Sequence, residues 1–152
     1  MASSLSKWFA LSWHERLLFI GAWMVLISSK LVWRMIPLRW VWKLAGSSAG
    51  RSPHRPASGE IGRVRRAIDR ASARVPGTTC LTRGFAAAIL LRLAGLPHRL
   101  LIGVRKADDA GFSAHAWVLS EGQIVTGHLP DLGSYIPLPL GASIPPLRET
   151  PR

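Results

Sequence analysis

The stretch Thr79-Cys80-Leu81-Thr82-Arg83-Gly84-Phe85-Ala86-Ala87-Ala88-Ile89-Leu90-Leu91-Arg92, with Ser113-Ala114-His115-Ala116-Trp117-Val118 downstream, decides how this chain is read. The first segment predicts a helix whose opening turn holds the single cysteine, and the second a strand carrying a histidine between small residues. Free N–H groups and the positive end of a helix N-terminus favour a thiolate, so nucleophilic cysteines are commonly placed there. The pair therefore points to a Cys–His hydrolase site. Spacing alone also admits the plainer reading, in which Cys80 is a small buried hydrophobe and His115 a satisfied core histidine.

The helix has clear neighbours on both sides. It runs from Thr79 to about Ala94, closed by Gly95 with Pro97 just beyond. Before it, Ser58 or Gly59 can open another helix, with Ile61, Val64, Ile68 and Ala71 on one face and Arg63, Arg66, Arg70 and Arg74 on the other, stopped by Pro76-Gly77. The arginine face is either solvated or set against an acidic partner. After it, Arg99 to Val104 reads as a buried strand, Lys106 to Gly111 as a polar turn, and Phe112 to Leu119 as a second strand. Glu121-Gly122 then turns a hairpin into Gln123-Ile124-Val125-Thr126. The prolines at 137, 139, 145 and 146 predict an extended or disordered tail beyond Tyr135.

Composition sets the outer limits. The 152 residues suffice for one domain with a core and an accessory segment. One cysteine excludes an internal disulfide and any multi-cysteine metal centre, and no cleavable signal peptide is evident, so the reducing cytoplasm is the expected compartment. The net charge of +12 is uneven: residues 1–75 carry 13 Lys/Arg and 3 Asp/Glu, while residues 76–152 carry 7 and 5. Six of the seven tryptophans (Trp8, Trp13, Trp23, Trp33, Trp40 and Trp42) lie in the basic half. Basic charge interleaved with aromatics suits nucleic acid, anionic lipid or an acidic peptide.

Residues 12–46 read as two helices broken at Pro37, with Ser12 able to cap the first. Leu17 to Ser29 is apolar on all faces but stops at Lys30, short of the ~20 apolar residues that span a bilayer. It is expected to pack in protein or lie at a membrane surface, with a true span through Trp33 as the alternative. Arg39 and Lys43 share a face of the second helix, and the segment 12–46 is where membrane association is expected. The Ser-, Gly- and Pro-rich run from Gly46 to Gly59 reads as a linker, with His54 a solvated loop residue. The organisation is thus an apolar, basic helical segment 1–46, a linker 47–59, a core 60–138 and a Pro-rich tail 139–152.

The order of helix-borne cysteine and strand-borne histidine is that of papain-like and transglutaminase-like enzymes. In particular, Cys80, Leu90-Leu91-Arg92 with Gly95, Ile102-Gly103-Val104, and Ala114-His115-Ala116-Trp117-Val118 with Gly122 resemble the leader peptidases of lasso-peptide biosynthesis, across roughly residues 60–138. The resemblance implies an α+β fold: a nucleophile helix packed on a small antiparallel sheet, preceded by an N-terminal helical segment. It implies Cys80 as nucleophile and His115 as base, without cofactor or metal. It also implies a role, removal of the leader from a ribosomal precursor before a separate ATP-dependent cyclase closes the ring. The expected partners are the precursor's leader, a leader-recognition protein on another chain, the cyclase and a membrane surface, and not nucleic acid. One departure stands out. Where the family's triad aspartate would fall, this chain has Thr126-Gly127-His128, and Asp131 is the nearest later carboxylate, with Asp108, Asp109 and Glu121 elsewhere in loops. Either Asp131 reaches back, or a backbone carbonyl or water orients His115, or the protein works slowly; in the second case a carboxylate introduced at Gly127 is expected to raise activity. Two other readings stay open: a non-enzymatic, Trp-rich binding module with a structural Cys80, and amide transfer or deamidation through the same thioester.

Overall fold

The computed structural model describes residues 12–32, 59–107 and 111–139. Helix α1 spans Trp13–Val32, α2 Gly59–Ser72 and α3 Cys80–Leu93. Strands β1 (Arg99–Ala107), β2 (Gly111–Ser120), β3 (Gln123–Thr126) and β4 (Ile136–Pro137) form one antiparallel sheet in the order β3-β2-β1-β4. The architecture of the described residues is α+β, three helices against a small antiparallel sheet, the fold class the sequence implied.

Local chemistry accounts for most boundaries. Ser12 caps α1: its hydroxyl accepts from the Glu15 amide at 3.3 Å, while the Glu15 carboxylate accepts from the Ser12 amide at 3.1 Å. At the end of α3, Leu96 N–H donates to the Leu91 carbonyl at 2.8 Å and Gly95 N–H to Arg92 at 3.0 Å, the paired bonds that close a helix on a glycine. Glu121 and Gly122 both adopt positive φ (49° and 78°), the twist a two-residue hairpin requires.

Two elements depart from the sequence reading. Strand β1 continues past Val104 through Lys106 and Ala107, where a polar turn was expected, because β2 begins at Gly111 and keeps pairing with it. Beyond Tyr135 the chain adds a fourth strand: Val104 pairs with Ile136 and Gly103 with Pro137, and Leu138 N–H donates to the Ile102 carbonyl at 2.8 Å. Proline is tolerated there because β4 is the edge strand among the described residues, with no described neighbour on its outer side. The second basic helix with Arg39 and Lys43, nearly all of the linker, Asp108 and Asp109, and the tail from 140 onward lie outside the described residues.

The two faces of the sheet are covered differently. On one face Leu100, Val118 and Val125 join Ile61, Val64 and Ile68 of α2, the Ala86–Ala88 run of α3, and Ala22 and Leu26 of α1 in a single core. Alanines on α3 keep its axis close to the sheet, and Gly84 brings it closer still: a Cβ there would stand 2.9 Å from Leu100 Cδ1. The opposite face holds a smaller cluster, Leu101, Trp117 and Tyr135, flanked by Leu119, Leu129 and Leu132. Ala22 and Leu26 are fully buried, so one side of α1 is core. Among the described residues no helix is long and apolar enough to cross a membrane.

Candidate functional site

Cys80 is the first residue of α3, and the residues around it explain why the helix starts there. Thr79 is the N-cap: its hydroxyl accepts from the Thr82 amide at 3.2 Å, and Thr82 Oγ1 accepts from the Thr79 amide at 2.9 Å. These bonds leave the Cys80 and Leu81 amides without a backbone partner among the described residues, beside the thiol and at the positive end of the helix. No acidic side chain occupies the first turn to compete with an anion.

One turn on, Arg83 donates through Nη2 to Asp69 Oδ1 at 2.9 Å, tying α3 to α2. Cys80, Arg83 and Asp69 line a cavity of about 350 Å³ together with Arg65 of α2, His115 of β2 and Thr126, Gly127 and His128 at the end of β3. Cys80 and His115, far apart in the chain, therefore share one cavity. The Sγ makes no hydrogen bond to the imidazole among the described residues, and such bonds are often absent before a substrate binds.

The imidazole is held from three sides. His115 Nε2 lies 2.9 Å from the Gly127 carbonyl oxygen. A carbonyl can only accept, so Nε2 carries a proton, and in the neutral ring the lone pair is on Nδ1. The Trp117 ring stacks 6.4 Å away at 11°, and the Tyr135 ring stands 5.7 Å away at 54°. Two glycines make this packing possible. A Cβ on Gly103, the residue paired with His115 across β1, would come within 2.8 Å of the Trp117 ring and 3.0 Å of Tyr135 Cβ. Gly127 has φ +82°, and a Cβ there would sit 2.4 Å from the Ala116 carbonyl oxygen. Gly127 therefore turns its own carbonyl onto the histidine in a conformation closed to other residues.

Asp131, the carboxylate considered as third member of the site, is placed elsewhere. It pairs with Arg105, whose guanidinium lies 5.0 Å over the Tyr135 ring. Among the described residues Asp131 makes no hydrogen bond to His115, whose Nε2 partner is the Gly127 carbonyl. The reason is local: Asp131 opens the short 3-10 turn Leu132–Ser134 that brings Tyr135 back under the sheet, next to β1 and its arginine. The same geometry overturns the expectation that a carboxylate at position 127 would help, since no side chain fits there without moving the carbonyl. Glu121 stays at the exposed hairpin tip.

Sequence reasoning missed the Arg83–Asp69 pair and, although it allowed a backbone carbonyl to orient His115, did not single out Gly127 as the residue that supplies it. The first had a visible signal, an arginine one turn from the cysteine. The second had none, because a backbone carbonyl leaves no residue type to read.

A family model described as the transglutaminase-like superfamily matches residues 23–139, a span holding Cys80, His115, Gly127 and all four strands. No curated protein and no solved structure matches the chain.

Proposed function

Since this chain belongs to the transglutaminase-like superfamily, whose chemistry is that of a cysteine acting on amide groups, we propose that it is a cysteine peptidase that removes the leader from a ribosomally made lasso-peptide precursor. The observation that carries the reading is the carbonyl-held imidazole: with Nε2–H fixed on Gly127, the Nδ1 lone pair is left for the thiol that shares its cavity. Cys80 acts as nucleophile and His115 as base, with the Gly127 carbonyl in the orienting role that a carboxylate fills in a triad.

Each step has a group to perform it. His115 Nδ1 takes the proton from Sγ, and the sulfur attacks the scissile carbonyl carbon. The resulting oxyanion is met by the Cys80 and Leu81 amides at the start of α3. The imidazolium then returns its proton to the departing amine, which leaves as the new N-terminus of the core peptide. Water, deprotonated by the same imidazole, cleaves the thioester and releases the leader as a carboxylate. A separate cyclase would use the new amine, and a leader-recognition protein on another chain would deliver the precursor.

The test is precursor processing followed by mass spectrometry, with the recognition protein present. Wild-type chain should release the intact leader, and Cys80→Ala should release none. Cleavage at the wild-type rate by Cys80→Ala would refute the peptidase role. A product gaining or losing only an amide group, with the chain uncut, would assign the same thioester to deamidation or amide transfer instead.

A further inference from the structure

Helix α1 is apolar on both sides, and among the described residues only one side is covered. Ala22 and Leu26 are buried against α2 and α3, whereas Trp13 (69% exposed), Leu17, Ile20, Trp23, Met24 (56%) and Ile27 project outward. Trp13, Leu17, Ile20, Met24 and Ile27 follow one another at spacings of three and four, so they form a continuous stripe along a 20-residue helix. A helix facing only water carries polar residues in such positions. Contiguous apolar surface of this kind marks an interaction site.

The border of the stripe identifies what it meets. On its α2 side, the Arg74 guanidinium lies 5.3 Å over the Phe19 ring. Arg66 and Arg70 precede Arg74 at intervals of four, and Arg74 Nη1 donates to the Arg70 carbonyl at 2.8 Å, so the three form one row; Glu15 of α1 is held below the usual carboxylate range first by hydrogen bonds from the Ser12 backbone and hydroxyl, with the Arg70 and Arg66 charges adding to them. The apolar stripe thus runs alongside a row of arginines, in the half of the sequence with 13 Lys/Arg against 3 Asp/Glu. Two exposed tryptophans, aliphatic side chains and a flanking cationic row are the combination that seats a helix in the headgroup region of a negatively charged bilayer. Since the other side of α1 is already buried in protein, the helix can lie along the surface but cannot cross it.

We propose that the outward stripe of α1, bordered by Arg66, Arg70 and Arg74, docks this protein on an anionic membrane surface. The inference is independent of the leader-peptidase reading, since it uses none of the catalytic residues.

The full chain should cosediment with vesicles of phosphatidylcholine mixed with phosphatidylglycerol at least about tenfold better than with phosphatidylcholine alone, and added salt should reduce the difference. The triple variant Leu17→Gln/Met24→Gln/Ile27→Gln changes only exposed positions, so it should keep the wild-type melting temperature and thiol reactivity while losing vesicle binding. Arg66→Glu/Arg70→Glu should remove the preference for phosphatidylglycerol. Failure of the wild-type chain to bind the anionic vesicles would overturn the proposal, as would undiminished binding by the triple variant. A wild-type dimer that the triple variant dissociates, with neither binding vesicles, would assign the stripe to a second copy of this chain and equally overturn it.

Discussion

Strand β2 presents two faces that do different work. Ala116 and Val118, at 1% and 0% exposure, turn toward the helices and help seat α3, whose Gly84 lies against them and Leu100. His115 and Trp117, one residue earlier in each case, turn to the other side, where Tyr135 and the Gly127 carbonyl fix the imidazole. The period of two in a strand thus assigns stability to one residue and chemistry to the next. Changes on the helix side should lower stability and leave the folded molecule active; changes on the histidine side should lower turnover in a molecule that stays folded.

The sharpest break should come at Gly127, which lies on the histidine side and has no freedom. In Gly127→Asp the new Cβ meets the Ala116 carbonyl at a positive φ, so the backbone must move and take the Nε2 partner with it. Loss of the fixed tautomer should lower kcat by as much as ~10⁴, the scale seen when a triad imidazole is misoriented. The strain should also cost about 1–3 kcal/mol of stability, read from the denaturant midpoint. An unchanged or raised kcat would mean the carbonyl does not orient His115.

Val118→Ala tests the other face. It leaves a void among Val118, Leu100 and Gly84 in the main core and should cost roughly 1–3 kcal/mol, measured by denaturant unfolding. The kcat per folded molecule should stay within about twofold of wild type, because nothing on this face touches the imidazole. A large fall in kcat at full folding would show that the seating of α3 sets the Cys80 position finely enough to merge the two roles.

How far the sequence carried the reader follows the same division. Helix α3 was legible from its ends: a capping threonine, a cysteine in the first turn, and Gly95 before Pro97 all act locally. The hairpin and the strand with His115 were legible because alternation and turn chemistry are local as well. What stayed hidden depends on contacts distant in sequence. The pairing of Ile136 and Pro137 with Val104 and Gly103 bridges more than thirty positions and involves a proline that reads as a strand breaker. The Gly127 carbonyl is invisible because its direction comes from a φ that only the folded hairpin imposes. Asp131 looked like a triad member because a carboxylate can be counted in a sequence, whereas its pairing with Arg105 cannot.

Asp131→Asn should give the smallest effect and refines the comparison. Its pair with Arg105 is exposed by more than a third on both sides, and such pairs contribute about 0–1 kcal/mol. Removing the charge leaves the Nε2 bond to Gly127 in place and frees Arg105 from its position over Tyr135. Tyr135 is still held by Ser113, whose hydroxyl lies 3.2 Å from the tyrosine oxygen, and by Trp117 and Leu101. The expected result is therefore a fall in kcat of less than about tenfold, with KM and the unfolding midpoint close to wild type. A direct orienting carboxylate would behave differently, since its loss approaches ~10⁴ in kcat. The two magnitudes are far enough apart for one steady-state measurement to decide between the carbonyl and the carboxylate as the group that holds His115.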